Sequence, residues 1–580
     1  MIWHFENLLR SRQEREAIEA LAAEVDWLTT RGWRIDSSLR LILDADIATN
    51  ARLYPVVLRY PNHFPHSPPL VLPRGESVRW SAHQYGAGGE LCLEYGTDNW
   101  HPALTGADML RSSHRLLEGE AAVDGHRRIV ASRHDVTVGQ NWRFKFSRFL
   151  VTPEFAEMAK GLQDASVSEA QAFGNYHEES FVNVIGTVTV PSGEVWHEPN
   201  LPGVLRRELH ERSVAIVRWP KSFAPPPSEN LTMFRAAFAD CGIVLPPARY
   251  VLLLHGLEMR SYILFEDSDN VWETSVILPP ARAPRLDQDH AVLSTRKVAV
   301  IGCGSVGSKV AVMLARSGVG RFLLVDDDML FSDNLVRHEL DWREIATHKV
   351  DSLARRIQLV NPLAGCEKRH HRLGGQESSG SLESLLETLG GCDLLVDATA
   401  DPAVFNYLCA VVAVAKRPLA WAEVFGGGFG GLIARYRPNV EPDPASMRRA
   451  VEQWCINQGK PIERAATDYG GGPAMPLIAD DADVTVIASH CARLVIDTLI
   501  GRAPSVFPYS VYLVGLTSAW IFDAPFDTYP IDVGGPPPPE SQPELTEEEA
   551  AAERSRILQL LNDYQDAPSS NGHNPQASSS

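Results

Sequence analysis

From Lys297 onward, short runs that are apolar on both faces alternate with segments whose apolar residues fall on one side of a helix. Val298 to Ile301 are apolar and mostly β-branched, the segment after them carries Val306, Val310, Met313 and Leu314 at helical spacing, and Phe322 to Val325 form the next run. A third run ends at Asp397 in CDLLVDATAD, and LAWAEVFGGGFGGLIARYRP reads as a strand, a glycine-rich turn and a further strand. Such runs bury both faces of a strand, and their alternation with helices predicts an α/β fold.

The N-terminal part has a different rhythm. Ile18, Leu21 and Trp27 recur among Glu and Arg as in an amphipathic helix, and strands are expected near Leu39 to Leu43 and near Tyr54 to Arg59. Pro65, Pro68 and Pro69 forbid helix in the segment that follows. Between 156 and 288, GTVTVPSGEVW, SVAIVRW, RYVLLLHGL and SYILFED predict strands, and FAPPPSENLTMF a loop leading into a helix. ILPPARAPRLDQDH reads as a linker, and Pro442 to Asp483 as a long polar, irregular segment containing Tyr469-Gly470-Gly471-Gly472. After the prolines of GGPPPPESQP, Thr546 and Glu549 form a capping box for a last helix, and the Ser- and Asn-rich end predicts disorder. The expected organisation is a domain over 1–155, a connecting α+β domain over 156–288, an α/β domain over 289–535, and a tail over 536–580.

Chemistry enters where the first apolar run ends. Gly302, Gly304 and Gly307 have the G-x-G-x-x-G spacing between a strand and a helix. Phosphates approach a backbone more closely than a Cβ allows, and the following helix offers unpaired N–H groups at its positive end. Asp326 stands at the end of the second run, where an acidic side chain can bind ribose hydroxyls. The glycines alone fit a dehydrogenase, a flavoprotein or a methyltransferase equally well. The residues beyond them narrow the choice: Asp326 and Asp328 form D-x-D, Asn334 and Arg337 follow in S-D-N-L-V-R, Lys349 lies in a helical segment, and Asp397 and Asp401 follow the third run. Hydride transfer has no evident need for this set. Chemistry on a triphosphate does, since Arg and Lys neutralise phosphate oxygens and a carboxylate can hold the metal that bridges them.

GxGxxG, LARSGVGRFLLVDDD, NLVR, Lys349 and D-A-T-A-D together resemble the Rossmann-like adenylation domain shared by ThiF and MoeB proteins and ubiquitin-activating enzymes, over roughly residues 290 to 535. The resemblance implies ATP and Mg2+ as cofactors, and adenylation of the C-terminal carboxylate of a small protein with release of pyrophosphate. It implies Asp326 at the ribose, Asn334, Arg337 and Lys349 at the phosphates, Asp401 at the metal, and pairing into a homodimer. One departure is plain: no two cysteines here are three apart, so the family's zinc-binding C-x-x-C pair is missing.

A cysteine between two leucines is, on composition, a small buried hydrophobe, and Cys92 is such a residue. Its neighbourhood points elsewhere. The prolyl segment, then G-x-L-C-L, then Trp100-x-Pro102, resembles the core of ubiquitin-conjugating domains, in which the cysteine after the glycine carries a thioester. The family's H-P-N tripeptide is replaced by Ala82-His83-Gln84, which makes Gln84 or His83 the substitute donor to an oxyanion. Asp98 and His101 could orient or deprotonate an incoming amine, or merely shape a solvated loop. In ubiquitin-activating relatives the long segment after the fourth strand can carry a second nucleophilic cysteine, and Cys455 lies in that interval. Cys491, inside an apolar helix, reads as packed, and Cys303 as a small filler in the glycine loop.

Composition excludes several classes. A hydrophobic share of 44% and a charged share of 22% are those of globular proteins. A net charge of −19 argues against sequence-independent nucleic-acid binding. No apolar run approaches a membrane span, MIWHFENLLRSRQERE is too charged for a secretory signal, and the eight cysteines have no regular spacing, so a cytoplasmic protein is expected. A conjugating-type domain joined to an activating-type domain resembles the fused proteins of bacterial anti-phage operons of the CBASS type. That resemblance implies, as acyl donor, the C-terminus of a cGAS-like nucleotidyltransferase, conjugated to a target amine. A bacterial ubiquitin-like protein is the alternative donor, and a sulfur-carrier adenylyltransferase the alternative function.

Overall fold

The computed structural model describes residues 2–120 apart from 51, 76–78, 82, 86 and 87, residues 139 and 142, and residues 145–278, 286–375, 378–462, 479–536 and 545–566. Tyr469–Gly472, half of the predicted linker and the Ser-rich tail lie outside them. Two compact units are formed, Met1–Phe144 and Lys145–Ser580.

In the first unit, β1 (Leu28–Ile35), β2 (Leu41–Ala48), β3 (Leu53–Arg59) and β4 (Leu70–Pro73) make an antiparallel sheet in chain order. Alternation along β2 and β3 sends Leu43, Ala45, Ile47, Tyr54, Val56 and Leu58 into a core with Ile18 and Leu21 of the helix Leu8–Glu24 and Leu110 and Leu117 of the helix Gly106–Gly119. Trp27 falls beyond the first helix. Buried Glu14 ties the two helices together: its carboxylate accepts from the Tyr60 hydroxyl and the Gly106 N–H, each at 2.7 Å, and pairs with Arg10 at 2.8 Å. A Cβ at Gly106 would lie 2.1 Å from the Tyr60 oxygen, so only glycine fits there. A two-residue ladder of β5 (Gln84–Tyr85) and β6 (Glu90–Leu91) follows the sheet.

The second unit opens with a β-rich part. Its strands are β7 (Ser147–Leu150), β8 (Val167–His177), β9 (Ser180–Thr189), β10 (Val195–His197), β11 (His210–Arg218), β12 (Tyr250–His255), β13 (Glu258–Phe265) and β14 (Asn270–Ile277). They run in the order β10-β9-β7-β14-β13-β12-β11-β8, and β8 also pairs with β9, so the sheet closes on itself. The boundary expected at 155 is corrected by this arrangement. β7 pairs with β9 and β14, and Phe155 of the helix Pro153–Lys160 packs into the same core as Ile216 and Leu252, so this part begins before Ser147.

The third sheet holds β15 (Lys297–Ile301), β16 (Arg321–Val325), β17 (Gly365–Arg369), β18 (Leu394–Asp397), β19 (Leu419–Val424), β20 (Gly430–Tyr436), β21 (Val511–Gly515) and β22 (Thr528–Ile531). Its order is β17-β16-β15-β18-β19-β20-β21-β22, parallel from β17 to β19 and antiparallel beyond. Val298 and Val300 face one side, against the helices Ser305–Arg316, Lys349–Val360 and Asp481–Ile500; Ala299 and Ile301 face the other, against Pro402–Ala415 and Pro444–Asn457. This is the predicted α/β layer, and the chain as a whole is mixed α/β. β15 lies between β16 and β18, so the strand order reverses at its carboxyl end, where open α/β sheets place ligands. The segment read as irregular from Pro442 to Asp483 instead contains the helix Pro444–Asn457, capped by the Asp443 side chain and started by a proline.

Candidate active site

The glycine loop leaves β15 at Gly302, whose φ of +83° favours glycine and whose Cβ would meet Thr399 at 2.8 Å. At Gly307 a Cβ would fall 1.9 Å from the Gly302 carbonyl oxygen, so this glycine lets the helix Ser305–Arg316 close on the loop. Gly304 is different. It precedes the helix with φ −75°, and a Cβ there would meet nothing within 4 Å.

Asp326, at the end of β16, reaches across to the loop. Its Oδ2 accepts from the Cys303 N–H at 2.6 Å and its Oδ1 from the Asp328 N–H at 2.8 Å. Burial raises its pKa against the pull of these bonds and of Lys349. Asp328 pairs with the buried Lys349 ammonium, and the Lys349 N–H donates to the Asp328 carbonyl at 3.0 Å. Burial opposes ionisation of Asp328, but the bond to Lys349 outweighs it and the pKa falls below the usual range, helped by Arg372. Asn334 and Arg337 sit on and just after the turn Ser332–Val336; the Asn334 Oδ1 accepts from the Phe331 N–H at 3.0 Å. The Arg337 guanidinium has no partner among the described residues.

From β18, Asp397 accepts from the Thr399 N–H at 3.0 Å and hydroxyl at 2.6 Å, and the Thr399 oxygen accepts from the Asp401 N–H at 3.1 Å. Burial pushes the Asp397 carboxyl up to about 6. Asp401 caps the helix Pro402–Ala415 through the Ala403 N–H at 2.8 Å, and shares a small pocket with Asp397, Trp421, Glu423 and Arg448. The carboxyl ends of β15, β16 and β18 thus bring Gly302, Gly304, Asp326, Asp328, Lys349 and Asp401 into one linked set. His338 and Arg372 belong to its surroundings and were not signalled by any local motif. Among the described residues no group of three or more His, Cys, Asp or Glu is placed to hold a metal ion. Asp401 keeps its second carboxylate oxygen outside the cap and fits a cation shared with phosphate oxygens rather than one held by protein alone.

In the first unit, Cys92 directly follows β6, is half-buried, and donates its N–H to the His83 carbonyl at 2.7 Å. The Gln84 amide is turned into the β5–β6 loop: Nε2 donates to the Gly89 carbonyl at 2.7 Å and Oε1 accepts from the Ser81 N–H at 2.9 Å. The His83 ring lies 3.7 Å from Glu120, and Ala82 is outside the described residues. The segment after Cys92 is fixed by the Trp100 indole donating to the Pro65 carbonyl at 2.7 Å, with Asp98 and His101 exposed beside it.

Cys455 lies on the helix Pro444–Asn457 with no exposed surface, packed beside Met447 and Val451. Burial pushes its thiol up to about 11, and that of Cys491, also fully buried, to about 12. A nucleophile needs an accessible thiolate, so we assign Cys455 no catalytic part and read both as core residues.

Residues 283–442 match the ThiF family. Over 187 residues the chain is 33% identical to the uncharacterized protein y4qC of Sinorhizobium fredii (strain NBRC 101917 / NGR234), covering 30% of this chain and 32% of that one. Over 131 residues it is 30% identical to the ATP-dependent ubiquitin transferase-like protein Cap2 of Pseudomonas aeruginosa (strain BWHPSA011 / Pa011), covering 22% of each. Over 228 residues it is 31% identical to the adenylyltransferase and sulfurtransferase uba4 of Aspergillus niger (strain ATCC MYA-4892 / CBS 513.88 / FGSC A1513), covering 39% of this chain and 45% of that one. The chain therefore spans less than half the length of each of these relatives. A ThiF-type domain is present, and its family uses ATP. No helix among the described residues is long and apolar enough to cross a membrane.

Proposed function

We propose that this chain adenylates the C-terminal carboxylate of a protein, captures the acyl group on Cys92 and transfers it to an amine. The observation that carries the reading is the linked set at the carboxyl ends of β15, β16 and β18. There an open glycine and a buried lysine accompany a carboxylate tied to the loop backbone.

In the first step a carboxylate oxygen of the donor attacks the α-phosphorus of ATP and pyrophosphate leaves. Asp326 accepts from the ribose, the Gly304 N–H and the helix behind it face the phosphates, and Asn334, Arg337 and Lys349 neutralise the leaving pyrophosphate. Asp401 would hold magnesium, which when bound would supply neutralisation of phosphate charge. In the second step the Cys92 thiolate attacks the acyl carbonyl, a thioester forms and AMP leaves; in the third an amine attacks the thioester, an amide forms and the thiolate leaves. Asp98 or His101, exposed in the segment after Cys92, would accept the amine proton. The donor we favour is the C-terminus of a cGAS-like nucleotidyltransferase, with a ubiquitin-like protein as the competing donor. The order of conjugating-type and activating-type segments, and the similarity to a ubiquitin transferase-like protein, support this reading.

The similarity to an adenylyltransferase and sulfurtransferase favours a second reading, sulfur-carrier activation, which uses the same ATP site and gives Cys92 no part. Intact-protein mass spectrometry of Cys92→Ser with ATP, magnesium and the nucleotidyltransferase separates the two. A serine retains the acyl group as a stable ester, so an ATP-dependent adduct, lost when Asp401→Ala is added, is expected. Pyrophosphate exchange into ATP with no adduct refutes capture at Cys92 and leaves the second reading standing.

A further inference from the structure

His338 directly follows Arg337, and its imidazole is only 7% exposed. Its Nδ1 lies 3.1 Å from the Leu340 N–H and can only accept there, which leaves the ring proton on Nε2. Nε2 is 2.8 Å from the Cys303 carbonyl oxygen and donates to it. Burial, with Lys349 and Lys309 nearby, holds the ring neutral and pushes its pKa down to about 4. Cys303 is thereby fixed from both sides, its N–H by Asp326 and its carbonyl by His338.

The Cys303 carbonyl and the Gly304 N–H belong to one planar trans peptide and point in opposite directions. With the carbonyl turned inward to His338, the Gly304 N–H is turned outward. It has no acceptor among the described residues, and the space beside the Gly304 Cα is open. We propose that His338 is a positioning residue for phosphate binding: its Nε2–H holds the Cys303–Gly304 peptide so that the Gly304 N–H faces the bound nucleotide's phosphates. Without that bond the peptide is free to turn over, and a carbonyl oxygen then meets the phosphates in place of an N–H donor.

This inference rests on the ATP-binding reading of the site, and the test keeps the two apart. Binding of ATP with magnesium, and of adenosine, is measured by calorimetry for the full-length wild type, His338→Leu and His338→Gln, with melting curves to establish folding. Leucine fills the space and donates nothing, while the glutamine amide can donate from near the Nε2 position. His338→Leu is expected to lose about tenfold in ATP affinity, the worth of one charge-assisted hydrogen bond, with adenosine affinity unchanged. His338→Gln is expected to stay within about threefold of wild type. Should the leucine variant fail to fold, His338→Ala supplies the donor-free arm. Equal loss of ATP and adenosine affinity, equal ATP loss in the leucine and glutamine variants, or no loss at all overturns the assignment of His338. A wild type that fails to bind ATP overturns the function proposed for the site.

Discussion

Two alanine substitutions three residues apart in the glycine loop are expected to fail in opposite ways. At Gly307 the new methyl would sit 1.9 Å from the Gly302 carbonyl oxygen and 3.0 Å from its carbon. The obstacle is backbone at the end of a fully buried strand, so the helix Ser305–Arg316 has to move away from the loop by about 1 Å, an overpacking that costs on the order of 3 kcal/mol. Alanine recovers about 1 kcal/mol of helix propensity over glycine, which leaves Gly307→Ala destabilised by about 2 kcal/mol. At Gly304 the same methyl meets nothing within 4 Å, and φ is −75°, which alanine adopts freely. Stability should therefore change by no more than about 0.5 kcal/mol. The open space is, however, where phosphate has to approach the Gly304 N–H, and a methyl there should weaken ATP binding about tenfold or more, equivalent to about 1.4 kcal/mol. Urea unfolding of the full-length variants reads the first quantity and calorimetric titration with ATP and magnesium the second. A Gly304→Ala variant that binds ATP as wild type does would refute the placement of phosphates at this loop. A Gly307→Ala variant as stable as wild type would refute the closeness of helix and loop.

Arg337→Ala removes a guanidinium with no partner among the described residues, so melting should be unchanged while pyrophosphate exchange falls about a hundredfold. Cys455→Ala should cost about 1 kcal/mol in stability and leave thioester formation at Cys92 intact; loss of the thioester in a folded variant would restore Cys455 as a nucleophile. The Asp397 carboxyl, raised from 3.8 to about 6 by burial, binds its proton more tightly folded than unfolded, so its contribution to stability is present at low pH and lost as pH rises through about 6. Asp397→Asn keeps an oxygen for both Thr399 bonds and does not ionise, so it should gain on wild type by about 1.4 kcal/mol more at pH 8 than at pH 5, where part of the cost of ionising Asp397 is already present. Melting curves at the two pH values decide, and an equal effect at both would contradict the raised pKa.

What could be read from sequence, and what could not, follows the range over which each feature is determined. The glycine loop was legible because the demand on each glycine comes from a neighbour within a few residues or from the ligand itself: Gly307 clears Gly302, and Gly304 leaves room. β15, β16 and β18 were legible because both faces are buried along Val298–Ile301, Phe322–Val325 and Leu394–Val396, which forces an unbroken apolar run in each. β1 was missed for the converse reason. Only Leu28 in it is buried, so Thr29 to Ile35 carry no alternation for a reader to find. The helix Pro444–Asn457 did announce itself locally, by Asp443 before Pro444, but its polar exposed face and the polar residues after it hid the buried row of Met447, Val451 and Cys455. Once that row is seen, Cys455 falls at helical spacing from Val451 and its place in the core follows. His338 had no such signal. Its partner is the carbonyl of Cys303, 35 residues earlier, and a backbone oxygen leaves no mark in sequence. The contacts that orient a backbone group toward a ligand are specified by the packing of separate elements, so a motif names the residues that touch the substrate while the structure is needed to find the residue that turns them to face it.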